Sequence, residues 1–158
     1  MSVKAVFLDR DGVINQFPGN GKYVTKLKEF RFVPGSLDAL RILTQEGYSI
    51  FVVSNQAGVA KGVYSKQKLE HITRNMLRDI RAVGGKIKEV FYCTHFSHAG
   101  CECRKPEIGA IRTALESSNK TLVSIVSIEL ISLHLFFIDS PIRNGILKGV
   151  LFSVITSE

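Results

Sequence analysis

The stretch that most constrains this fold is VKAVFLDRDGVIN, residues 3–15. Its apolar start, VKAVFL, is too short for a helix and suits a buried parallel strand. Asp9 and Asp11 follow at once, where the carboxyl ends of strands in open α/β sheets bind ligands. Continued extension would project both carboxylates to one side, and Gly12 permits a sharp turn. Asp and Gly also favour ordinary surface turns, so the choice between a turn and a ligand site depends on further motifs.

Composition points to one globular domain over residues 1–158, with 45% hydrophobic and 22% charged residues. The formal charge is 21 − 14 = +7, but the cations are dispersed and Trp is absent. That pattern makes nucleic acid the weaker inference and leaves open an anionic membrane, a small phosphorylated metabolite or a generally solvated basic surface. Glu129 and His134 interrupt the apolar stretch 121–138, which favours a buried pair of strands over a membrane span. Without a visible leader, we expect a cytoplasmic monomer.

Apolar runs and amphipathic segments alternate along the chain, which predicts a doubly wound parallel α/β sheet. Helices are predicted at 36–46, 65–83 and 106–117. Strands are predicted at 3–8, 48–54, 87–93, 122–128, 133–138 and 150–155. The loops 16–34 and 56–64 are too short for a large cap domain and should shape the substrate pocket instead.

Three further polar groups follow predicted strands or begin a predicted helix. Ser54 and Asn55 end the second strand, and a hydroxyl, an amide and backbone N–H groups there can hold phosphate. Arg104 and Lys105 precede Pro106, which places two cations at a predicted helix start. Asp139 follows the run 136–138. Each group alone also fits a solvated turn, but together they predict a metal-dependent phosphoryl-transfer site.

Cysteine and histidine are concentrated in one loop, as Cys93, His95, Cys101 and Cys103. Three thiolates and one imidazole in a C-x-H-x5-C-x-C pattern suit a tetrahedral Zn²⁺ site with no open position. His98 could compete as the fourth ligand, and the spacing favours His95. An odd, clustered set of cysteines argues for metal rather than for a disulfide framework. We therefore expect a structural zinc that fixes the loop before Arg104.

The order DxDG, SN, K, D resembles the four motifs of the haloacid dehalogenase superfamily. The blocks FLDRDGVIN, SNQAGVAKG and CECRKP are similar to those of its D,D-heptose 1,7-bisphosphate phosphatase and histidinol-phosphatase family, over about Val3–Leu115. The VIN ending favours the heptose branch, and a zinc loop is also a family feature. The resemblance implies a carbohydrate-metabolism hydrolase, a phosphoric monoester phosphatase that uses Mg²⁺ and Zn²⁺.

This resemblance implies catalytic roles for the acidic residues. Asp9 would be the nucleophile that becomes phosphorylated, and Asp11 would protonate the leaving alcohol and then activate water. Asp9, the carbonyl of Asp11, and Asp139 would bind Mg²⁺.

The same resemblance implies a set of contacts with the transferring phosphoryl group and the sugar. Ser54, Asn55 and Lys105 would hold and neutralise the phosphoryl group. Substrate contacts would come from Arg104, Asn15 and Gln56.

The chain departs from the family after about residue 119. Ile138 stands where the family has a glycine before the fourth-motif acid, and Arg143 stands where it has a further acid. Two explanations remain open, genuine divergence and an altered reading frame. A cation near the site would weaken Mg²⁺ binding, so we expect low activity or a raised Mg²⁺ requirement. The alternatives are histidinol-phosphate phosphatase and a catalytically impaired phosphate-binding relative.

Overall fold

A computed structural model describes residues 3–117, 122–128 and 153–155 of the chain. Its centre is a five-stranded sheet in the order β3-β2-β1-β4-β5. The strands are β1 (Val3–Leu8), β2 (Ser49–Asn55), β3 (Ile87–Cys93), β4 (Leu122–Ile128) and β5 (Ser153–Ile155). Strands β1 to β4 pair in parallel and β5 pairs antiparallel to β4. The predicted, mainly parallel α/β sheet is confirmed. The predicted strand 133–138 lies outside the described residues.

Three helices cover the two faces of the sheet: α1 (Ser36–Gln45), α2 (Lys66–Ala82) and α3 (Gly109–Ser117). Alternate side chains of β1 point to opposite faces. Val6 and Leu8 pack in the larger core cluster with buried side chains of α1 and α2, such as Leu40 and Ile72, whereas Ala5 and Phe7 pack in a smaller cluster with α3. Burial on both faces explains why the strand is apolar throughout.

Local signals set two helix boundaries where the sequence predicts them. Gly47 follows α1 with a φ of 78°, a conformation that suits glycine at a helix end. The Ser65 hydroxyl accepts a hydrogen bond of 3.3 Å from the backbone N–H of Lys68 and so caps α2. Between β1 and α1 the described chain adds only the short 3-10 turn Leu27–Glu29, and no large cap domain occurs there.

The predicted start of α3 at Pro106 is wrong, because the helix begins at Gly109. The backbone N–H of Gly109 donates to the carbonyl of Glu102 at 2.9 Å, and that of Glu107 donates to Arg104 at 2.8 Å. These bonds fold residues 102–109 into turns ahead of the helix. Arg104 and Lys105 therefore do not sit at a helix N-terminus. None of the helices in the described ranges is long and apolar enough to cross a bilayer.

Candidate active site and metal centre

The first predicted acid contacts the predicted lysine at the carboxyl end of β1. Lys105 Nζ lies 2.8 Å from Asp9 Oδ2, and the two side chains are 16% and 19% exposed. The backbone N–H of Arg10 donates to Asp9 Oδ1 at 2.6 Å. Residues almost a hundred positions apart in sequence thus place a carboxylate and a cation in one half-buried ion pair. A charge-assisted contact of this length is short and directional.

Asn55 at the end of β2 positions the backbone of Lys105. Its side-chain Oδ1 accepts from the backbone N–H of Lys105 at 3.0 Å, and its Nδ2 donates to the carbonyl of Lys105 at 3.2 Å. This reciprocal pair ties the loop that follows the cysteine cluster to the sheet. Asn55 therefore acts on Lys105 directly, by holding its main chain.

A tight turn after β1 brings Asn15 back to Asp11. The backbone N–H groups of Ile14 and Asn15 donate to the carbonyl of Arg10 at 2.9 and 3.0 Å. Gly12 has a φ of 90°, in the left-handed region where glycine is favoured. The predicted sharp turn at Gly12 is therefore confirmed. Asn15 Nδ2 then donates to Asp11 Oδ1 at 2.9 Å.

Asp11 also accepts hydrogen bonds from two fully buried side chains. Arg10 Nε and a terminal nitrogen donate to Oδ1 at 3.1 and 2.9 Å, and the same terminal nitrogen reaches Oδ2 at 3.1 Å. Gln56 Nε2 donates to Asp11 Oδ2 at 2.8 Å. The carboxylate of Asp11 is thus oriented by protein groups on both oxygens, whereas that of Asp9 is paired with a lysine.

Arg10 is the site residue that the sequence analysis missed. Its side chain is 0% exposed, a rare state for arginine, and its guanidinium also donates to Gln56 Oε1 at 3.1 Å and lies 5.7 Å from the centre of the Tyr92 ring. Burial is the largest influence on the pKa of Arg10 and lowers it, but the charges of Asp11 and Tyr92 and the hydrogen bonds with both side chains together outweigh burial, so the pKa is raised above its ordinary value. No local pattern in the sequence indicated this burial or the contact with Asp11.

Gln56 and Ser54 belong to the same buried network. Gln56 Nε2 lies 3.2 Å from Ser54 Oγ, and Gln56 Oε1 accepts from the hydroxyl of Tyr64. Burial raises the pKa of the Tyr64 hydroxyl, which keeps it a donor. Because Gln56 is fully buried and bonded at both ends, the geometry gives it a role in holding Asp11. Its expected contact with substrate stays a prediction.

Two other expected substrate contacts retain unpartnered polar atoms. Asn15 Oδ1 and one terminal nitrogen of Arg104 are buried and have no hydrogen-bond partner within the described part of the chain. Such atoms are costly to leave unpaired. Their contact with substrate stays a prediction.

The cysteine loop assembles the predicted zinc ligands. The four ligand atoms of Cys93, His95, Cys101 and Cys103 lie within 4.8 Å of one another. Cys101 Sγ is 3.6 Å from both other sulfurs, and His95 Nδ1 is 3.3 and 3.7 Å from Cys103 and Cys93. A tetrahedral Zn²⁺ with bonds of about 2.3 Å to sulfur would separate its sulfurs by about 3.8 Å. The spacing therefore fits one tetrahedral ion. His98 lies outside this group and stacks on Phe96 at 5.3 Å.

The thiols of Cys101 and Cys103 differ in their pKa. Burial opposes ionisation of Cys101, but hydrogen bonds from Cys93, Cys103 and His95 lower its pKa to about 7. Burial and the neighbouring thiols raise the pKa of Cys103 to about 12. Three adjacent thiolates require a bound cation, which is what Zn²⁺ supplies.

Asp9 and Asp11 provide hard oxygen ligands of the kind that Mg²⁺ prefers. Asp139, the third predicted Mg²⁺ ligand, lies outside the described residues, as does Arg143. The described part of the site thus contains two of the three predicted ligands at the carboxyl end of β1.

Comparison with known proteins places these features in a family. The sequence profile described as polynucleotide kinase 3 phosphatase matches residues 4–139. A D-glycero-beta-D-manno-heptose-1,7-bisphosphate 7-phosphatase of Pseudomonas putida is 37% identical over 114 residues, 72% of this chain and 64% of that protein. The corresponding alpha-anomer enzyme of Campylobacter jejuni is 38% identical over 72% of this chain and 63% of its own length. The chain thus spans just under two thirds of these relatives.

A solved structure is also similar to most of the chain. It is the D,D-heptose 1,7-bisphosphate phosphatase of B. bronchiseptica complexed with magnesium and phosphate, with a TM-score of 0.70 and 35% identity. The match covers 75% of this chain and 65% of that one.

Proposed function

Since this chain belongs to the polynucleotide kinase 3 phosphatase family of the haloacid dehalogenase superfamily, we propose that it is a Mg²⁺-dependent phosphatase that hydrolyses a small phosphorylated sugar. The observation that carries the proposal is the 2.8 Å contact between Asp9 and Lys105 at the carboxyl edge of the sheet. A carboxylate that attacks a phosphate dianion is repelled by it. A fixed lysine beside that carboxylate reduces the repulsion during the reaction.

The reaction takes place in two steps. An oxygen of Asp9 forms a bond to phosphorus while the bond from phosphorus to the sugar oxygen breaks, and Asp11 gives a proton to the departing alcohol. Water then attacks the aspartyl-phosphate, Asp11 accepts its proton, and free phosphate and the Asp9 carboxylate are regenerated. Lys105 stabilises the negative charge on the phosphoryl oxygens in both steps.

Asp9, the carbonyl of Asp11, and Asp139 would hold Mg²⁺, which neutralises phosphoryl charge when it is bound. Ser54 and Asn55 would add hydrogen bonds to the phosphoryl group. The oxygen-rich donor set is chemically suited to this ion.

The proposed substrate is D-glycero-D-manno-heptose 1,7-bisphosphate. Support comes from the relatives compared above, which are named for the 7-phosphatase reaction on this sugar. These relatives favour a heptose substrate over histidinol phosphate. A cytoplasmic location and a monomeric state remain predictions from the sequence.

We also propose that the cysteine cluster binds a structural Zn²⁺. All four ligand positions come from the protein, so no position is left for substrate. Cys103 lies next to Arg104 and two residues before Lys105 in sequence, and the turn that follows is bonded to Glu102. Zinc would thereby stabilise the loop that presents the lysine to Asp9.

A phosphate-release screen with Asp9→Asn tests the proposal. Heptose 1,7-bisphosphate and histidinol phosphate are each supplied with and without Mg²⁺. We expect Mg²⁺-dependent release from the heptose substrate and none from Asp9→Asn, while Asp38→Asn, at an exposed carboxylate on α1, retains the parent rate. Equal turnover by Asp9→Asn would refute the mechanism. Phosphate binding without turnover in the parent protein would favour the catalytically impaired relative.

A further inference from the structure

Arg10 lies between the two acidic residues of the site in sequence, and its fully buried side chain bonds to the carboxylate of Asp11. We propose that Arg10 is a positioning residue that aims the carboxyl group of Asp11 for its proton transfers. This inference rests on the proposed phosphatase function, because it assigns Asp11 the acid and base steps.

Arg10 makes the most extensive contact with Asp11 of the described side chains. Its guanidinium reaches both carboxylate oxygens through Nε and one terminal nitrogen, at 2.9 to 3.1 Å. The other two donors contact one oxygen each, Asn15 at Oδ1 and Gln56 at Oδ2. Together these three side chains contact both oxygens of the carboxylate. The plane and the rotation of the Asp11 carboxyl group are thereby set.

The guanidinium is itself held in place from several sides. It donates to Gln56 Oε1, whose other contact is the Tyr64 hydroxyl, and it lies over the ring of Tyr92. The Tyr92 hydroxyl in turn lies 2.9 Å from Thr73 Oγ1 on α2. Since Arg10 is completely excluded from solvent, water cannot replace these contacts. The orientation of Asp11 therefore depends on packing between β1, β3 and α2.

Lysine cannot reproduce this arrangement, although it would keep the positive charge. Arginine donates through a rigid planar fork, whereas lysine offers one nitrogen on a flexible stem. A lysine at position 10 could reach one oxygen of Asp11 or the amide of Gln56. We expect Asp11 to rotate away from the leaving oxygen when the fork is lost.

Misplacement of the Asp11 carboxyl group should impair the step in which Asp11 donates a proton to the leaving group. A sugar alkoxide is a poor leaving group and needs the proton of Asp11, whereas nitrophenolate leaves without one. The first phosphoryl transfer controls kcat/KM, so kcat/KM isolates the acid step from later hydrolysis. Misplacement of Asp11 should therefore lower kcat/KM for the sugar phosphate far more than for p-nitrophenyl phosphate.

The experiment compares the full-length parent with Arg10→Lys and Arg10→Gln on both substrates. We expect kcat/KM for heptose bisphosphate to fall about 10–100-fold, and kcat/KM for p-nitrophenyl phosphate to fall less than about 3-fold, because that leaving group needs no acid. Met76→Ala, on the buried face of α2, is the control for lost stability. It should lower both values by the same factor, after correction for the folded fraction.

An equal loss of kcat/KM on both substrates in the Arg10 variants would overturn the proposal. Failure of both variants to fold would also overturn it, because Arg10 would then have a purely structural role. Crystal structures of the parent and Arg10→Lys give a readout independent of turnover. The proposal requires that the Asp11 carboxyl group rotates while the contact between Asp9 and Lys105 is retained; an unmoved Asp11 refutes it. Absence of turnover by the parent on both substrates would reject the phosphatase function, and the crystal comparison would still decide the role of Arg10.

Discussion

Replacing Lys105 by methionine removes the amine beside Asp9 and keeps a side chain of similar length. The backbone of Lys105 is held by two hydrogen bonds from Asn55, and neither involves the amine. We therefore expect the loop to stay in place and the chemistry alone to change.

The size of the effect follows from the 2.8 Å separation between Lys105 Nζ and Asp9 Oδ2. The gross Coulomb attraction at that distance is about 6 kcal/mol for an effective dielectric constant of about 20. Solvent reaches both side chains and reduces the net contribution to folding to about 1 kcal/mol. During phosphoryl transfer, loss of one such preorganised group typically costs about 3–4 kcal/mol, which is about 10²–10³-fold in kcat.

The assay measures phosphate release at saturating Mg²⁺, together with the thermal midpoint of each variant. Asn55→Ala is the informative comparison, because it keeps the amine and loses both backbone bonds, about 1 kcal/mol each. It should lower stability more than Lys105→Met does. Lys66→Met, at an exposed position of α2, should change neither quantity. Parent-like kcat in Lys105→Met would refute the role assigned to the ion pair.

Three further changes test the metal sites and the packing around them. Cys103→Ser should reduce the zinc content, measured by elemental analysis, below one ion per chain and lower the thermal midpoint, because only three ligands remain. Unchanged zinc content would exclude Cys103 as a zinc ligand. Gly58→Ala should destabilise the protein by about 1–3 kcal/mol in urea titrations, because the added Cβ would lie within 3.0 Å of the Tyr23 and Tyr64 rings; equal stability would contradict this packing. Asp139→Asn should raise the Mg²⁺ concentration for half-maximal activity, measured by titration, whereas an unchanged titration would remove Asp139 from the ligand set.

Patterns that arise within one strand or one loop could be predicted from the sequence. The apolar stretch before Asp9 has few alternatives to a buried strand, and the hydroxyl of Ser65 marks the start of α2 by a local hydrogen bond. The cysteine cluster belongs to the same class, since its four ligands lie within eleven residues. A short chain segment keeps its side chains close together, so the spacing of the ligands in the sequence is enough to predict that they can bind one metal ion.

Contacts between distant segments required the tertiary structure. The predicted start of α3 at Pro106 is wrong because the carbonyl of Glu102, in the cysteine loop, binds the N–H of Gly109. The preference of proline for the first turn of a helix contains no information about that contact. The order of the strands brings Asn55 to Lys105 across the edge of the sheet, which no local pattern indicates.

The sequence by itself therefore determined the class of fold and the grouping of the cysteine and histidine ligands, because strand periodicity and ligand spacing are local properties of the chain. Its resemblance to a family pointed to Asp9 as the candidate nucleophile. Only the tertiary structure decided that Arg10 is buried and that it, Asn15 and Gln56 hold Asp11. The physical reason is that a buried charge must find its partners among groups that the packing of β1, β3 and α2 brings together.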